Sequence, residues 1–397
     1  MQEKSKVCAV ICELNPLHSG HQALFAHAKA HFKGLVCVLS GNFVQRGEPA
    51  ILDKWARTRL ALASGADLVA ELPLPWACAG AERFAAGGVA VARGLGCVDS
   101  LLFGSEEKDI RPLWDLAKAL LSPEFSQALG RVDPTLPFAR RRQQAAALLA
   151  GEKTAALLEK PNCILGVEYL KALLVQGGGM EAQVFPRLGA GHDLPDREGA
   201  ILSASQAREL LAAGEDLSGR LPELTLNAWR EQAERGTCPA SLSRLERAVL
   251  CRLRSMTVED FSRLPDVSEG LEHRLRQAAR QAGSLEDFYA LVKSKRYSHA
   301  RVRRLCMSAF LGLTRDLPPL PPYLRVLGMT PAGQEILRQA RPSLPLALRA
   351  GDFSKLGGEA LSLFELEARA GDLYGLALPR PTPCGRDYTE RLVKVGF

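Results

Sequence analysis

Short apolar runs alternate with amphipathic segments over the first two hundred residues, and this order restricts the folds open to the chain. Five runs have the length and apolar composition of buried strands: residues 7–12, 34–41, 66–73, 99–106 and 182–188. Segments with apolar residues at helical spacing stand between them. Parallel strands need such crossover helices. The pattern therefore predicts an α/β fold with a Rossmann-like, doubly wound parallel sheet.

The pattern changes at about residue 221, where helical periodicity continues with almost no strand-like alternation. LERAVLCRLRSM and ARVRRLCMSAFLGL are typical segments of this region. We interpret the proline-rich stretch at residues 318–328 as a break between helices. The sequence thus predicts two domains: a sheet domain over residues 1–218 and a mostly α-helical domain over residues 219–397.

Composition excludes several classes of protein. The ten cysteines are scattered among apolar residues without any Cys-x-x-Cys pair, which argues against a disulfide framework and against a zinc site. We predict no metal-ligating residues. No apolar run approaches the ~20 residues that a membrane helix needs. We therefore expect a cytoplasmic protein with no membrane partner, and nothing in the sequence implies a stable protein partner.

Positive charge is concentrated in one segment. The chain carries a formal net charge of +7, and KSKRYSHARVRR (residues 293–304) contains six Lys or Arg residues and no acid. Two interpretations stay open: an ordinary solvated helix face, or a surface that contacts nucleic-acid phosphates.

The most informative loop is His18-Ser19-Gly20-His21, which follows the first predicted strand. Ligands of open parallel sheets bind beyond the carboxyl ends of the strands, where the strand order reverses. Neither a G-x-x-x-x-G-K-[ST] loop nor a G-x-G-x-x-G turn occurs in the chain. Two imidazoles on the first turn of a helix suit an anionic phosphorus centre, because both can donate hydrogen bonds to its oxygens. The alternative is a pair of ordinary histidines, one of them a helix cap.

Here the sequence begins to resemble a known group. His-x-Gly-His after a first strand is the hallmark of the nucleotidylyltransferase superfamily, and residues 202–208 (LSASQAR) are similar to a second motif of that superfamily. A series of longer blocks closely resembles the tRNA(Met) cytidine acetate ligase family. In order along residues 13–328, they are ELNPLHSGH, SGNFVQRGEPAILDKWARTRLAL, GADLVAELP, FGSE, KPNCILGVEYLKAL, KSKRYSHARVRR and YLRVLG.

The resemblance implies an activity and a set of site residues. Members of the family activate acetate with ATP as acetyl adenylate and acetylate the wobble cytidine of elongator tRNA(Met) to N4-acetylcytidine. His18 and His21 would be catalytic, and Mg²⁺ would accompany the nucleotide. Carried over by position, the ATP-binding residues are Ile11, Cys12, Glu13, Leu14, Asn15, Pro16, Leu17, His18, Ser19, Gly20, His21, Gln22, Ala23, Leu24, Gly104, Asn162 and Arg187. Leu14 and Leu17 depart from the Tyr and Phe common in the family, which would alter how the base is enclosed.

Further residues are candidates for phosphate and RNA contacts. Ser203, Ser205 and Arg208 of the second motif are possible phosphate ligands, although Ser203 serves equally well as a helix cap. The anticodon arm would meet the basic segment, with Tyr297 available for stacking on a base. Its candidate tRNA-binding residues are Lys293, Lys295, Arg296, Tyr297, Arg301, Arg303 and Arg304.

Several other residues each have two possible interpretations. Gly104 allows close approach of a ligand or simply forms a turn, and Asn162 recognises adenine or caps its helix. Arg46 and Lys54 either reach phosphates or acetate, or pair with Glu48 or Asp53. Asp67 and Glu71 are possible Mg²⁺ ligands, but their spacing is no recognisable ligand set. The basic run at residues 140–142 is more simply explained as a solvated helix face.

Three functions compete on this evidence. The first is the acetate ligase. The second is a small-molecule adenylyltransferase, which needs only about the first 215 residues and leaves the basic helical domain without a role. The third is a non-catalytic RNA-binding protein with a relic nucleotide pocket, which predicts damage to motifs that are intact here.

Overall fold

A computed structural model describes residues 6–177, 179–186, 202–268, 270–294 and 297–397. Its strands are β1 (Val7–Cys12), β2 (Gly34–Ser40), β3 (Phe43–Val44), β4 (Glu48–Pro49), β5 (Leu68–Leu72), β6 (Ser100–Ser105), β7 (Glu181–Pro186), β8 (Leu324–Met329), β9 (Leu346–Ala347) and β10 (Val393–Lys394). All five strands expected from the sequence are present, with bounds within two residues of those predicted.

α-Helices make up much of the described chain between and after these strands. In the first half they are α1 (Ser19–His31), α2 (Lys54–Ala63), α3 (Leu74–Ala77), α4 (Ala81–Gly94), α5 (Ile110–Leu121), α6 (Pro123–Arg131), α7 (Phe138–Ala150), α8 (Glu152–Ala155), α9 (Pro161–Val175) and α10 (Ala204–Ala212). They continue as α11 (Glu223–Glu234), α12 (Leu242–Ser255), α13 (Val258–Ser262), α14 (Leu271–Gln281), α15 (Leu285–Val292), α16 (His299–Leu311), α17 (Pro331–Gln339), α18 (Ala350–Leu356), α19 (Gly358–Gly375) and α20 (Arg386–Thr389). None of the described helices is long and apolar enough to cross a membrane.

The main sheet has the order β10-β8-β5-β2-β1-β6-β7, with β9 paired to β8. Strands β5, β2, β1, β6 and β7 run parallel, which confirms the predicted doubly wound fold. The chain leaves β1 toward β2 and β5 on one side and returns to β6 and β7 on the other. The order therefore reverses between β1 and β6, and the crevice at their carboxyl ends is the expected ligand site.

One part of the sequence interpretation is wrong. The stretch taken as a break between helices contains β8, which pairs antiparallel with β5 and extends the main sheet. Strand β10 in turn pairs parallel with β8. The division of the chain at residue 218 stays a prediction. Three strands from beyond that residue, β8, β9 and β10, belong to the same sheet as β1.

The core lies on both faces of the sheet. Alternate residues of β1 enter different clusters: Val7 and Ala9 pack on one side, and Cys8, Val10 and Cys12 on the other. The cluster around Val7 continues without interruption into the apolar faces of α12, α14, α15 and α16. The helical region is therefore packed against the sheet through the same core.

A buried group of charges joins the C-terminal region to the sheet. Lys54 at the start of α2 pairs with Glu71 of β5 at 2.7 Å and with Asp387 of α20 at 2.5 Å. Arg325 of β8 pairs with the same two carboxylates at 3.1 and 2.6 Å. Glu367 of α19 accepts a hydrogen bond from the Leu74 N–H. All five side chains are less than 5% exposed.

Candidate active site

The two predicted catalytic histidines lie at the start of α1, directly beyond the carboxyl end of β1. The His18 backbone is extended, and its Nδ1 accepts a hydrogen bond from the Gly20 N–H at 3.1 Å. The His21 Nδ1 accepts one from the His18 N–H at 3.3 Å. The two rings stack with centroids 3.9 Å apart. The pair thus forms a reciprocal capping box built from imidazoles instead of the usual Ser and Glu.

This capping arrangement determines which ring nitrogen carries the proton. Because each Nδ1 accepts from a backbone N–H, a neutral ring must hold its proton on Nε2. In its neutral form each ring would therefore donate hydrogen bonds from Nε2. A Cβ at Gly20 would lie 3.0 Å from the His18 Cε1, so any side chain at this position would crowd the imidazole.

The loop before the histidines is held from several directions. Asn15 accepts a hydrogen bond from the Ile51 N–H on Oδ1 at 2.9 Å, and its carbonyl accepts one from Arg208 at 2.8 Å. The Leu17 carbonyl accepts from the Thr225 hydroxyl at 3.0 Å. Leu14 and Leu17 are fully buried in the core. The two departures from the family pattern therefore lie in the packing beneath the loop.

Residues of the second motif meet this loop. Ser203 caps α10 in a capping box with Gln206, so its capping interpretation accounts for its contacts. The Ser205 hydroxyl accepts a hydrogen bond from Arg46 at 3.2 Å. Arg208 donates from Nη1 to the Asn15 carbonyl, and its Nη2 lies 3.0 Å from Glu48. Arg208 thus contacts the histidine loop directly, and Arg46 contacts the second motif next to it, although the two arginines are far apart in the chain.

Burial and ion pairing decide between the alternatives left open for Lys54 and for the two carboxylates Asp67 and Glu71. Lys54 is 1% exposed and held by Glu71 and Asp387, so it is not offered to phosphate or acetate. Asp67 accepts two hydrogen bonds from Lys29, at 2.8 and 2.9 Å, and one from the Leu35 N–H at 2.8 Å. Asp67 and Glu71 are therefore structural carboxylates, and the described residues contain no group of three or more metal-type ligands.

The opposite wall of the crevice is formed at the ends of β6 and α9. The Asn162 amide donates to Glu106 Oε1 at 2.6 Å, and the Cys163 N–H donates to Glu106 Oε2 at 3.0 Å. Burial alone would raise the pKa of Glu106, but the hydrogen bonds from Asn162 and nearby groups outweigh it and lower the pKa. Asn162 is thus oriented by a carboxylate that also caps α9. Gly104 lies on β6, which runs beside β1.

Sequence reasoning missed a buried arginine beneath the site. Arg57 is fully buried and donates hydrogen bonds to four backbone carbonyls: Glu13 at 2.7 Å, Ser40 at 2.9 Å, Leu52 at 2.9 Å, and Gly41. Glu13 follows β1, and Ser40 and Gly41 lie at the end of β2, so one guanidinium holds both strand ends in place. The signal for it in the sequence was weak: Arg57 and Arg59 stand in the same helical segment, and the structure alone shows that Arg57 is buried and Arg59 exposed.

Glu13 lies against the same loops. Its Oε1 accepts a hydrogen bond from the Gln45 N–H at 2.9 Å. Burial raises the pKa of the Glu13 carboxyl, against the lowering effect of that hydrogen bond and of Arg46 and Arg57. Glu13 therefore joins the loop after β1 to the β3–β4 hairpin.

The basic segment gives a mixed result. Arg303 and Arg304 lie on α16 and are partly buried, and Arg303 pairs with Glu48 at 2.7 Å. Tyr297 is 9% exposed and has the Arg301 guanidinium 5.3 Å from its ring centroid, so stacking on a base is not open to it in this conformation. Lys293 is exposed. Lys295, Arg296 and Arg187 lie outside the described residues.

The second basic run has local partners. Arg140 pairs with Glu159 at 3.2 Å, and Arg142 pairs with Glu168. Arg141 donates to the Leu129 carbonyl at 3.5 Å. These contacts agree with the interpretation of residues 140–142 as part of an ordinary helix surface.

Comparison with known proteins identifies the family. Residues 5–388 match the HIGH nucleotidyl transferase model. The chain is 34% identical to the tRNA(Met) cytidine acetate ligase of Acetivibrio thermocellus, over 98% of this chain and 99% of that protein. It is 33% identical to that of Thermoanaerobacter sp., over 98% and 100% of the two chains. The chain belongs to the tRNA(Met) cytidine acetate ligase family.

Solved structures agree with this assignment. The crystal structure of Thermotoga maritima TmcAL bound with alpha-thio ATP is 31% identical, covers 99% of this chain and 100% of its own, and has a TM-score of 0.90. Its apo form has a TM-score of 0.91 at 30% identity. The tRNA(Met) cytidine acetate ligase family therefore shares both the sheet and the helical region of this chain.

Proposed function

We propose that the protein activates acetate with ATP as acetyl adenylate and transfers the acetyl group to the wobble cytidine of elongator tRNA(Met), forming N4-acetylcytidine. Family membership supports the ligase activity. The observation that carries the chemistry is the pair of stacked imidazoles at the helix start beside β1, each with its Nδ1 accepting a backbone N–H and with Arg208 bonded to the same loop.

In the first half-reaction, an acetate oxygen attacks the α-phosphorus of ATP and pyrophosphate leaves. Negative charge grows on the non-bridging oxygens and on the leaving group. His18 and His21 would donate from Nε2 to the former, together with the N-terminus of α1. Arg46 and Arg208 would hold the leaving pyrophosphate, since guanidinium groups bind phosphate oxygens in pairs.

The nucleotide would occupy the crevice between β1 and β6, with its base near Gly104 and Asn162. Because Glu106 holds the Asn162 amide nitrogen, the amide oxygen is the atom left to accept from an adenine amine. Any Mg²⁺ would be bound chiefly by the nucleotide phosphates, since Asp67 and Glu71 are engaged by Lys29 and Lys54.

In the second half-reaction, the N4 amine of cytidine attacks the acetyl carbonyl carbon and AMP leaves. The mixed anhydride is already a reactive acyl donor, so positioning of the base supplies much of this step. We assign the anticodon arm to the side of α16, where Arg303 and Arg304 lie beside the β3–β4 hairpin. A tRNA substrate also places the reaction in the cytoplasm.

The test is transfer of radiolabelled acetate to transcribed elongator tRNA(Met). Label should enter the RNA only when ATP is present and the wobble base is cytidine. His21→Ala should abolish labelling, whereas His31→Ala, at an exposed position of the same helix, should retain it. Adenylate formation without transfer to RNA would instead indicate a small-molecule adenylyltransferase, and no ATP consumption would refute both functions.

A further inference from the structure

One carboxylate lies between the two parts of the proposed site. Glu48 of β4 places Oε1 3.0 Å from Nη2 of Arg208 and Oε2 2.7 Å from Nη2 of Arg303. The side chains of Glu48, Arg208 and Arg303 are 16%, 15% and 26% exposed. At this burial the three charges interact more strongly than a surface ion pair would.

The two arginines serve different substrates in the proposed reaction. Arg208 also donates to the Asn15 carbonyl, which places it on the histidine loop where the polyphosphate would lie. Arg303 is on α16, in the basic segment assigned to RNA. Glu48 therefore contacts one candidate ligand of each phosphate-bearing substrate.

Backbone packing holds the β3–β4 hairpin, and with it Glu48, beside Arg303. Gly47 has φ +71°, and a Cβ at this position would lie 2.8 Å from the Arg303 carbonyl carbon. The turn of the β3–β4 hairpin thus rests directly on the first turns of α16. Glu48 cannot move far toward one arginine without changing its distance to the other.

We propose that Glu48 makes polyphosphate binding and RNA binding oppose each other, so that RNA engages Arg303 fully only after pyrophosphate has left. This inference rests on the proposed function. Phosphate oxygens at Arg208 repel the Glu48 carboxylate and replace it as the partner of that guanidinium. Glu48 then pairs more strongly with Arg303 and withdraws it from RNA phosphates. The effect is reciprocal, because binding free energies at two sites are linked.

The consequence is an ordered reaction. Because the acetyl adenylate has a single phosphate, Arg208 can again pair with Glu48. The interaction of Glu48 with Arg303 then becomes weaker, and Arg303 is available to RNA. RNA would therefore bind the adenylate form more tightly than the ATP form. Such an order protects the enzyme from holding RNA before the acyl donor exists.

The experiment measures the affinity of fluorescently labelled elongator tRNA(Met) by anisotropy, with saturating α,β-methylene ATP or saturating AMP. In the unaltered protein, the dissociation constant for RNA should be about 5-fold weaker with the triphosphate, the low end of typical coupling between sites. Glu48→Gln should bring the ratio close to one. Arg303→Gln should do the same, which keeps the test valid if Glu48→Gln does not fold.

A matched control removes another acid that pairs with an arginine. Asp316→Asn breaks the exposed pair with Arg263, 3.2 Å apart, and should leave the ratio near 5-fold. A ratio of one in the unaltered protein overturns the inference. So does a ratio that persists in Glu48→Gln, because it would show direct repulsion between ATP and RNA. Absence of any nucleotide or RNA binding would remove the proposed function, and the inference with it.

Discussion

The buried charges beside β5 lead to a quantitative prediction about pH. Two cations, Lys54 and Arg325, face three carboxyl groups, so one carboxyl lacks a cation of its own. That group is Glu367: burial, reinforced by the Glu71 carboxylate, raises its pKa from 4.5 to about 8. Glu367 is therefore protonated in the folded protein at neutral pH. The change Glu367→Gln tests this directly, because glutamine is neutral and keeps an oxygen for the Leu74 N–H.

The sign and size follow from proton linkage. When the folded protein holds a proton that the unfolded chain has lost, the free energy of unfolding falls as pH rises. The contribution of Glu367 to the free energy of unfolding is therefore greatest below pH 4.5. It decreases progressively up to about pH 8 and does not change above that pH. The slope is about 1.4 kcal/mol per pH unit inside this window. Between pH 6 and pH 8 the free energy of unfolding of the unaltered protein should therefore fall by roughly 2 kcal/mol more than that of Glu367→Gln.

The assay is urea denaturation followed by circular dichroism at pH 6 and pH 8. Other titrating groups are common to both proteins and cancel in the difference between them. Glu365→Gln, at an exposed position of the same helix, should follow the unaltered protein at both pH values. The reasoning is refuted if Glu367→Gln and the unaltered protein lose equal free energy between the two pH values, or if the variant loses more.

Three further predictions concern the site. His21→Ala should slow adenylate formation roughly 10²–10³-fold, measured by ATP–pyrophosphate exchange, with unchanged RNA affinity; a normal exchange rate would contradict the role given to the imidazole pair. Arg57→Met should lower the free energy of unfolding in urea by at least about 3 kcal/mol, because four buried carbonyls lose their donor, whereas Arg59→Met on the exposed face should change it little. Gly47→Ala should lower the free energy of unfolding by roughly 1–3 kcal/mol and, because its Cβ would push the hairpin and Glu48 away from Arg303, should bring the ratio of RNA dissociation constants with the triphosphate and with AMP closer to one; an unchanged melting temperature and an unchanged ratio would show that the close contact does not matter.

Much of the sheet and of the histidine loop was predictable because their signals are local. A buried parallel strand is a short apolar run, and a helix cap is encoded within four residues, as at His18 and His21. Strand β8 escaped prediction for the opposite reason. It follows a proline-rich stretch, and its partner β5 lies more than 250 residues earlier in the chain. No local sequence pattern indicates such a long-range strand pairing.

The sequence by itself determined the order of the five parallel strands and the helices between them, the position of the histidine pair after β1, and the family to which these motifs belong. Only the tertiary structure decided which charged residues face the site. Lys54 and Arg57 are both basic residues of one amphipathic segment, yet one is neutralised in a buried ion cluster and the other holds the ends of β1 and β2. Arg303 likewise meets Glu48 across more than 250 residues. Burial and pairing of charges depend on contacts between distant segments of the chain. These contacts form only when the helices pack against the sheet.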